Sequence, residues 1–322
     1  MVQFGTVLPF AGWRSVTALL VLSVIFSGLL VHGDPAPFTY ADFGLNWNGT
    51  CKDGLRQSPI NVEKSLFTRP PSSPPVPAGT FGTGTNVSVQ HLGNQVKVAW
   101  KQATPSTVTM TLGAFYAQPN ATGMIKVPGT DTDAGDADTV MSVSPVQFHF
   151  HINSEHTLGG RYSTMETHLV TNVSAANTSC PVSKPCNAVY GVLYDYSIDG
   201  LGESDFLATI FDNIPDPNGT TTAKTFLGGD FTLLLADYFP EDTSRYIQYT
   251  GSLTTPPCSE NVLWTVFEAT RPVSFAQTEQ LSRALADAVI AGLVASRTDN
   301  RFPQLVNDRT IWYFDTAEPE TS

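Results

Sequence analysis

Positive charge is scarce in this 322-residue chain. It holds 17 Lys and Arg against 29 Asp and Glu, which gives a formal net charge of −12 at pH 7. A surface with this excess of negative charge repels a phosphate backbone, so the composition argues against a nucleic-acid-binding protein. The same charge indicates a well-solvated surface but does not identify a substrate.

Cysteine is also rare. None of the four cysteines stands in a Cys-x-x-Cys pair, which argues against a structural zinc site. Their even number suits two disulfides in an oxidising compartment. Cys180 and Cys186 would close a small loop, and Cys51–Cys258 would then tie an N-terminal arm to the far part of the chain.

Long hydrophobic runs are lacking after the N-terminus. One apolar run, 16–31, follows Arg14 and ends at small residues near Gly33, a pattern typical of a cleaved secretory signal peptide over residues 1–33. A membrane anchor is the alternative, because the run approaches spanning length. We expect secretion without a transmembrane anchor, a domain over 34–316 and a short acidic tail over 317–322.

Asparagine acceptor sequences fit a secreted glycoprotein. Because such short motifs also arise by chance, each site is only a candidate. The candidates are Asn48, Asn86, Asn120, Asn172, Asn177 and Asn218.

Helical periodicity is limited to two stretches. Residues 204–212 and 277–293 predict surface helices, and Ser274 with Gln277 can form a capping box before the second. Alternating apolar residues, typical of strands, dominate much of the rest. With no internal repeat and no break in composition, the sequence predicts a single, mainly β domain.

Two of the six histidines, His149 and His151, alternate with Phe148 and Phe150. This alternation predicts a strand, on which residues two apart share a face. The imidazoles would then point one way and the phenylalanines the other way, into a core. A lone buried histidine is usually a hydrogen-bonded core residue, but two neighbouring imidazoles need partners and favour a metal site.

A second run, 165–170, carries His168 and follows a turn at 158–162. The two strands are therefore expected to pair antiparallel, with His168 beside the first two histidines. Three imidazoles on one face, with an open fourth position, form a ligand set that suits catalytic zinc.

The histidine spacing alone does not fix the fold. His-x-His followed by Glu155 also fits the first motif of the cupin barrel, which would predict iron or manganese and oxidative chemistry. A cupin would require glycine in place of Tyr162 and a Pro-x-Gly before the last histidine, and this chain has neither.

Residues 249–258 form the second unusual stretch, with two threonines before two prolines. The prolines impose an extended, rigid loop, which by itself could be a simple turn. Beside a three-histidine zinc site, however, the fixed hydroxyl of Thr254 could orient a zinc-bound hydroxide. A buried carboxylate such as Glu155 can only accept a hydrogen bond when ionised, and it would fix that orientation.

These stretches together resemble the alpha-class carbonic anhydrases, and the resemblance covers nearly all of the chain after residue 33. The motifs occur in the order and spacing of the family, which is far more specific than any one of them. They are residues 57–61, 147–151, 154–157, 166–170 and 251–257, with further similarity at 300–301 and 307–309.

The resemblance implies a large, mostly antiparallel twisted sheet and a zinc enzyme that interconverts carbon dioxide and water with bicarbonate and a proton, through a zinc-bound hydroxide. It also implies specific roles for residues of this chain. The zinc ligands would be His149, His151 and His168, held by Gln147 and Glu166; the catalytic pair would be Thr254 and Glu155; the carbon dioxide wall would be Val170, Val189, Leu253 and Trp264; and Thr255 would line the bicarbonate site.

One departure from the family pattern concerns proton transfer. Residues 91–98 resemble a strand on which fast members carry a proton-shuttling histidine, and Asn94 stands at that position here. An amide does not titrate near neutral pH and cannot relay protons. His91 lies three residues before Asn94, and this odd spacing on a strand is expected to point it to the opposite face. We therefore predict that proton transfer limits turnover.

Some members of the family have lost zinc ligands and serve as binding modules. Because all three histidines, Glu155 and Thr254 are present, the sequence favours an enzyme.

Overall fold

One large β-sheet dominates the computed structural model. The structure describes residues 38–69, 83–102, 109–112, 139–173, 187–199, 202–216, 223–227, 231–232, 238–286, 289–290, 293–294 and 297–316. All of these belong to one compact unit, residues 35–322.

The elements are numbered in chain order. The strands are β1 (Asn61–Val62), β2 (Phe67–Thr68), β3 (Thr83–His91), β4 (Val96–Gln102), β5 (Thr109–Leu112), β6 (Thr139–Ile152), β7 (Thr157–Leu158), β8 (Arg161–Tyr162), β9 (Met165–Val173), β10 (Asn187–Tyr196), β11 (Ala223–Phe226), β12 (Phe231–Thr232), β13 (Arg245–Ser252), β14 (Glu260–Phe267), β15 (Arg271–Val273), β16 (Val289–Ile290), β17 (Leu293–Val294) and β18 (Ile311–Asp315). The helices are α1 (Thr50–Asp53), α2 (Asp205–Phe211) and α3 (Phe275–Ala286), with a 3₁₀ turn at Lys64–Leu66.

Within the described residues, 13 strands form the main sheet. Its order is β11-β3-β4-β6-β9-β10-β14-β13-β18-β2, and off this path β5 pairs with β6, β12 with β3 and β15 with β10. Most pairs are antiparallel; β10 pairs parallel with β14 and β15, and β18 pairs parallel with β2. The predicted mainly β fold with a mostly antiparallel sheet is confirmed.

The two faces of β6 differ in character, as its alternating sequence predicts. Phe148 and Phe150 are fully buried on the back of the sheet. There they contact the rings of Phe206 and Phe211, both in α2, at centroid distances of 5.6 and 5.1 Å. The helix thus covers the core face of β6 and leaves the histidine face to the other side.

The second predicted helix is shorter than its periodicity suggests. The capping box is present, with Gln277 N donating to Ser274 Oγ at 3.2 Å and Ser274 N donating to Gln277 Oε1 at 3.3 Å. The prediction over 277–293 was wrong at its end, because α3 stops at Ala286 and β16 and β17 pair antiparallel instead. The β-branched residues Val289 and Ile290 and the following Gly292 disfavour helix and explain the change.

The N-terminal arm is fixed by contacts with distant parts of the chain. The predicted disulfide Cys51–Cys258 is present, with an S–S distance of 2.08 Å. The buried Arg301 guanidinium donates to Gln57 Oε1, to Ser58 O and to Cys51 O at 3.0, 2.7 and 2.5 Å. These bonds place the arm beside the loop that carries Thr254.

Several predicted features lie outside the described residues. These are the signal peptide (1–33), the acidic tail (317–322), the Cys180–Cys186 pair and the sequons at Asn120, Asn177 and Asn218. Among the residues that the structure describes, no helix is long and apolar enough to cross a bilayer.

Candidate active site

Three histidines meet on the front face of the sheet. His149 and His151 project from β6, and His168 lies directly opposite His149 on the antiparallel strand β9, as predicted. Their ring centroids are 5.0, 5.2 and 4.6 Å apart for the pairs 149–151, 149–168 and 151–168. One nitrogen of each ring lies within 4.8 Å of the others, and all three residues are buried.

Each ring is oriented by a hydrogen bond from its outer nitrogen. His149 Nδ1 donates to Gln147 Oε1 at 3.0 Å, and His151 Nδ1 donates to the carbonyl oxygen of Asp299 at 2.8 Å. His168 Nε2 donates to Glu166 Oε1 at 2.8 Å. With these nitrogens protonated, Nε2 of His149, Nε2 of His151 and Nδ1 of His168 carry the lone pairs that converge.

Burial favours the neutral forms of His149 and His168. Burial lowers the pKa of His149 well below its usual value, and the neighbouring histidines lower it further. Burial also lowers the pKa of His168 to about 4, although Glu166 opposes the shift. A neutral imidazole is the form that binds a metal ion.

This donor set fits a tetrahedral metal with one open position. The buried Nε2 of His151 has no hydrogen-bond partner within the described residues, and a bare acceptor in that position is costly unless something binds it. Three imidazole nitrogens without a thiolate match catalytic zinc sites of the three-histidine type. The residues present therefore fit a zinc ion.

Glu166 connects the ligands to a deeper network that the sequence analysis missed. Its Oε1 also accepts from His156 Nδ1 at 2.7 Å, and His156 Nε2 lies 2.6 Å from the Tyr249 hydroxyl, which donates to Ser58 Oγ at 2.9 Å. Burial alone would raise the pKa of Glu166, but His156 and His168 outweigh it and hold the pKa well below its usual value. The carboxylate is thus an ionised, fully bonded support for His168.

Glu155 and Thr254 lie beside the three rings. Glu155 Oε1 accepts from the backbone amide of Arg301 at 2.8 Å, and Oε2 is 3.5 Å from His151 Nε2 and 3.8 Å from His168 Nδ1. No described donor makes a standard hydrogen bond to Oε2, but the nearby Thr254 hydroxyl lowers the pKa of the carboxyl. Burial raises the pKa of Glu155 to about 8, while Thr254 and the Arg301 amide oppose this shift.

An apolar wall adjoins the histidines. Val189 pairs with Val170 on one side and with Trp264 on the other, and all three pack in one cluster with Leu253. The Trp264 ring lies 4.7 Å from that of His168, and its Nε1 donates to Ser252 O at 2.9 Å. The half-buried Thr255 follows Thr254 in the same loop.

The expected strand over 91–98 is interrupted, because His91 ends β3 and Asn94 lies in the turn before β4 begins at Val96. The half-buried Asn94 donates from its amide to Phe38 O at 3.1 Å. His91 is fully buried, and its Nε2 lies 2.7 Å from Ala284 O of α3 while its Nδ1 accepts from Gly93 N at 3.1 Å. As predicted, His91 faces away from the three histidines, so it offers them no proton path.

Three of the candidate glycosylation sites lie among the described residues. Asn48, Asn86 and Asn172 are exposed. Asn86 has a positive φ of 56° at an irregularity in the pairing of β3 with β4.

A scan against protein-family models matches residues 44–315 to the eukaryotic-type carbonic anhydrases. Alpha carbonic anhydrase 4 of Arabidopsis thaliana is 31% identical over 306 residues, which cover 88% of this chain and 87% of that protein. A carbonic anhydrase of Dunaliella salina is 27% identical over 88% of this chain, but the match spans only 45% of that longer protein.

Solved structures give the same picture of the fold. The crystal structure of a halotolerant carbonic anhydrase from Dunaliella salina superposes with a TM-score of 0.65 at 25% identity. The match covers 88% of this chain and 99% of that one.

Proposed function

This chain belongs to the eukaryotic-type carbonic anhydrase family, and from that premise we propose that it hydrates carbon dioxide reversibly to bicarbonate and a proton at a zinc ion held by His149, His151 and His168. One observation carries the proposal above all others. Three buried ring nitrogens converge because each outer nitrogen is tied to Gln147, Asp299 or Glu166.

Bound zinc would supply a hydroxide at neutral pH; carbonic anhydrase is the type case, in which the pKa of the bound water falls to about 7. The protein groups around it have separate tasks. The positive charge of a bound zinc ion would keep the buried Glu155 carboxyl ionised. The Thr254 hydroxyl would then donate to this carboxylate, and its oxygen lone pair would be left to accept a hydrogen bond from the attacking group. The Arg301 amide holds the other oxygen of Glu155 and so fixes the direction of this chain of hydrogen bonds.

The apolar wall suits an uncharged substrate. Val170, Val189, Leu253 and Trp264 present no polar group that would hold water in place of carbon dioxide, apart from an indole N–H that is already bonded to Ser252 O. Thr255, next to the orienting hydroxyl, would contact bicarbonate. The proton must leave by another route, because Asn94 cannot carry it.

The experiment that tests the function is metal removal followed by stopped-flow carbon dioxide hydration. We expect one zinc per chain, a rate that falls at least about 100-fold on chelation because neutral water is a weak nucleophile, and recovery with one equivalent of zinc. Recovery with iron or manganese alone would contradict the proposal and support the oxidative alternative. Full zinc content without hydration would support a binding module.

Proton transfer gives a second prediction. Small imidazole buffers are expected to raise kcat for hydration about tenfold without changing the KM for carbon dioxide, since they replace the missing general base. Asn94→His should reproduce this gain in the absence of such buffers, whereas the control Asn94→Gln, which also lacks a titrating group, should not. If buffer concentration had no effect on kcat, proton transfer would not limit turnover.

The disulfide and the exposed sequons support the proposal that the protein is secreted. The Cys51–Cys258 disulfide needs an oxidising compartment to form and persist. The exposed positions of Asn48, Asn86 and Asn172 leave these sequons open to glycosylation.

A further inference from the structure

A row of cross-strand partners leads from the edge of the sheet to the three histidines. Lys224 of β11 pairs with Gln90 of β3, which pairs with Lys97 of β4, which pairs with His149 of β6. Residues directly opposite one another in an antiparallel sheet share a face, with Cβ atoms about 5 Å apart. Lys97 therefore stands on the histidine face, one strand from His149, and Lys224 lies two strands farther out.

The ammonium group of Lys97 has no fixed anionic partner in the part of the chain that the structure describes. Its side chain is half-buried, and neither an ion pair nor a hydrogen bond of its Nζ occurs among those residues. Burial, and then the charge of Lys224, lower the pKa of Lys97, and its charge in turn lowers the pKa of His149. A partly desolvated cation without a counterion attracts an anion from solution.

This position matters because the protein as a whole is acidic. A net charge of −12 repels bicarbonate, which must enter in the dehydration direction and leave in the hydration direction. Carbon dioxide is neutral and feels no such field. A local cation beside the metal position would offset the repulsion for the anion alone.

We propose that Lys97 is an anion-binding residue that attracts small monovalent anions, with bicarbonate as the natural one, to the three-histidine face, and that Lys224 extends this cationic row to the edge of the sheet. The proposal rests on the proposed function for the identity of its natural anion. It assigns Lys97 a task distinct from those of Thr254 and Thr255, since a point charge attracts any small anion whereas hydroxyls select by hydrogen bonding.

The test compares Lys97→Gln and Lys97→Arg with Lys101→Gln. Lys101 lies on the same strand, is exposed and carries the same charge, but it stands four residues farther along, about 13 Å away. Each zinc-loaded protein is titrated with thiocyanate and with bicarbonate at constant ionic strength. The dissociation constant is read from the rise in unfolding temperature with anion concentration, and the KM for bicarbonate is measured in parallel.

We expect Lys97→Gln to weaken both anions about tenfold, the effect of one unit charge about 7 Å away at an effective dielectric constant of about 30. Lys97→Arg should stay close to wild type, as should Lys101→Gln. Wild-type affinity in Lys97→Gln, or an equal loss in the arginine variant, would overturn the proposal. A wild type that holds zinc but does not hydrate carbon dioxide would instead refute the proposed function, and the thiocyanate comparison would still decide the role of Lys97.

Discussion

Replacing His168 with alanine is expected to abolish zinc binding and carbon dioxide hydration together. The substitution removes one of three converging nitrogens and leaves two, which cannot hold zinc in the tetrahedral site that the family requires. Because loss of an outer hydrogen-bond partner already costs 10–100-fold in metal affinity, loss of a ligand should cost more than about 100-fold in affinity and in rate. Metal analysis after dialysis and stopped-flow hydration measure the two effects on one sample.

The matched control is His91→Ala, which removes a buried histidine of the same domain that faces away from the site. It is expected to reduce the free energy of unfolding but to keep one zinc per chain and measurable hydration. Retention of stoichiometric zinc and full activity in His168→Ala would refute the assignment of His168 as a ligand. Loss of zinc in both variants would point to general destabilisation.

Replacing Arg301 with methionine is expected to cause the largest loss of stability from one side chain away from the ligands. The buried carbonyl oxygens of Cys51 and Ser58 lose the guanidinium donor, and Gln57 Oε1 keeps only a 3.4 Å hydrogen bond from Ser252 Oγ. Each unsatisfied buried acceptor costs about 1–3 kcal/mol, so the free energy of unfolding should fall by about 3 kcal/mol or more. Urea unfolding of the zinc-loaded protein with its disulfide intact measures the loss.

The effect of Arg301→Met should act through the arm rather than through Glu155, since the bond to Glu155 comes from the backbone amide and survives the substitution. Arg283→Met serves as the control, because the Arg283 side chain is 68% exposed and its pair with Glu279 is solvent-screened. Arg301→Lys keeps the charge without the planar fork and should fall between wild type and Arg301→Met. Equal urea midpoints of unfolding for the Arg301→Met and Arg283→Met variants would refute the stabilising role of Arg301.

The central part of the fold could be predicted from sequence because its signals are local. The alternation of His and Phe in β6 has the period of a strand, and the turn before His168 brings the next strand back beside it. Both features depend on residues close together in the chain. The same is true of the capping box that begins α3.

What could not be predicted depends on distant backbone or on competition between weak preferences. The carbonyl of Asp299 holds His151 from 148 positions away, and a backbone acceptor leaves no trace in residue type. Arg301 belongs to a stretch that resembles the family, but its role depends on hydrogen-bond partners that are distant in the sequence. The apolar stripe beyond Ala286 has helical spacing, and β-branched residues with glycine redirected it into a hairpin.

The contacts of the N-terminal arm also impose an order in time on a chain that leaves the ribosome from its N-terminus. Cys258 is synthesised 207 residues after its disulfide partner Cys51. The partners of β2 and Pro59, which are β18 and Gln304, follow after still longer stretches of chain. The strands that bear the histidines are made early, but Asp299 and the Arg301 amide arrive with the last part of the domain. The imidazoles of a nascent chain are therefore synthesised well before the groups that orient them, and tight binding of a metal ion would be a late event of biosynthesis.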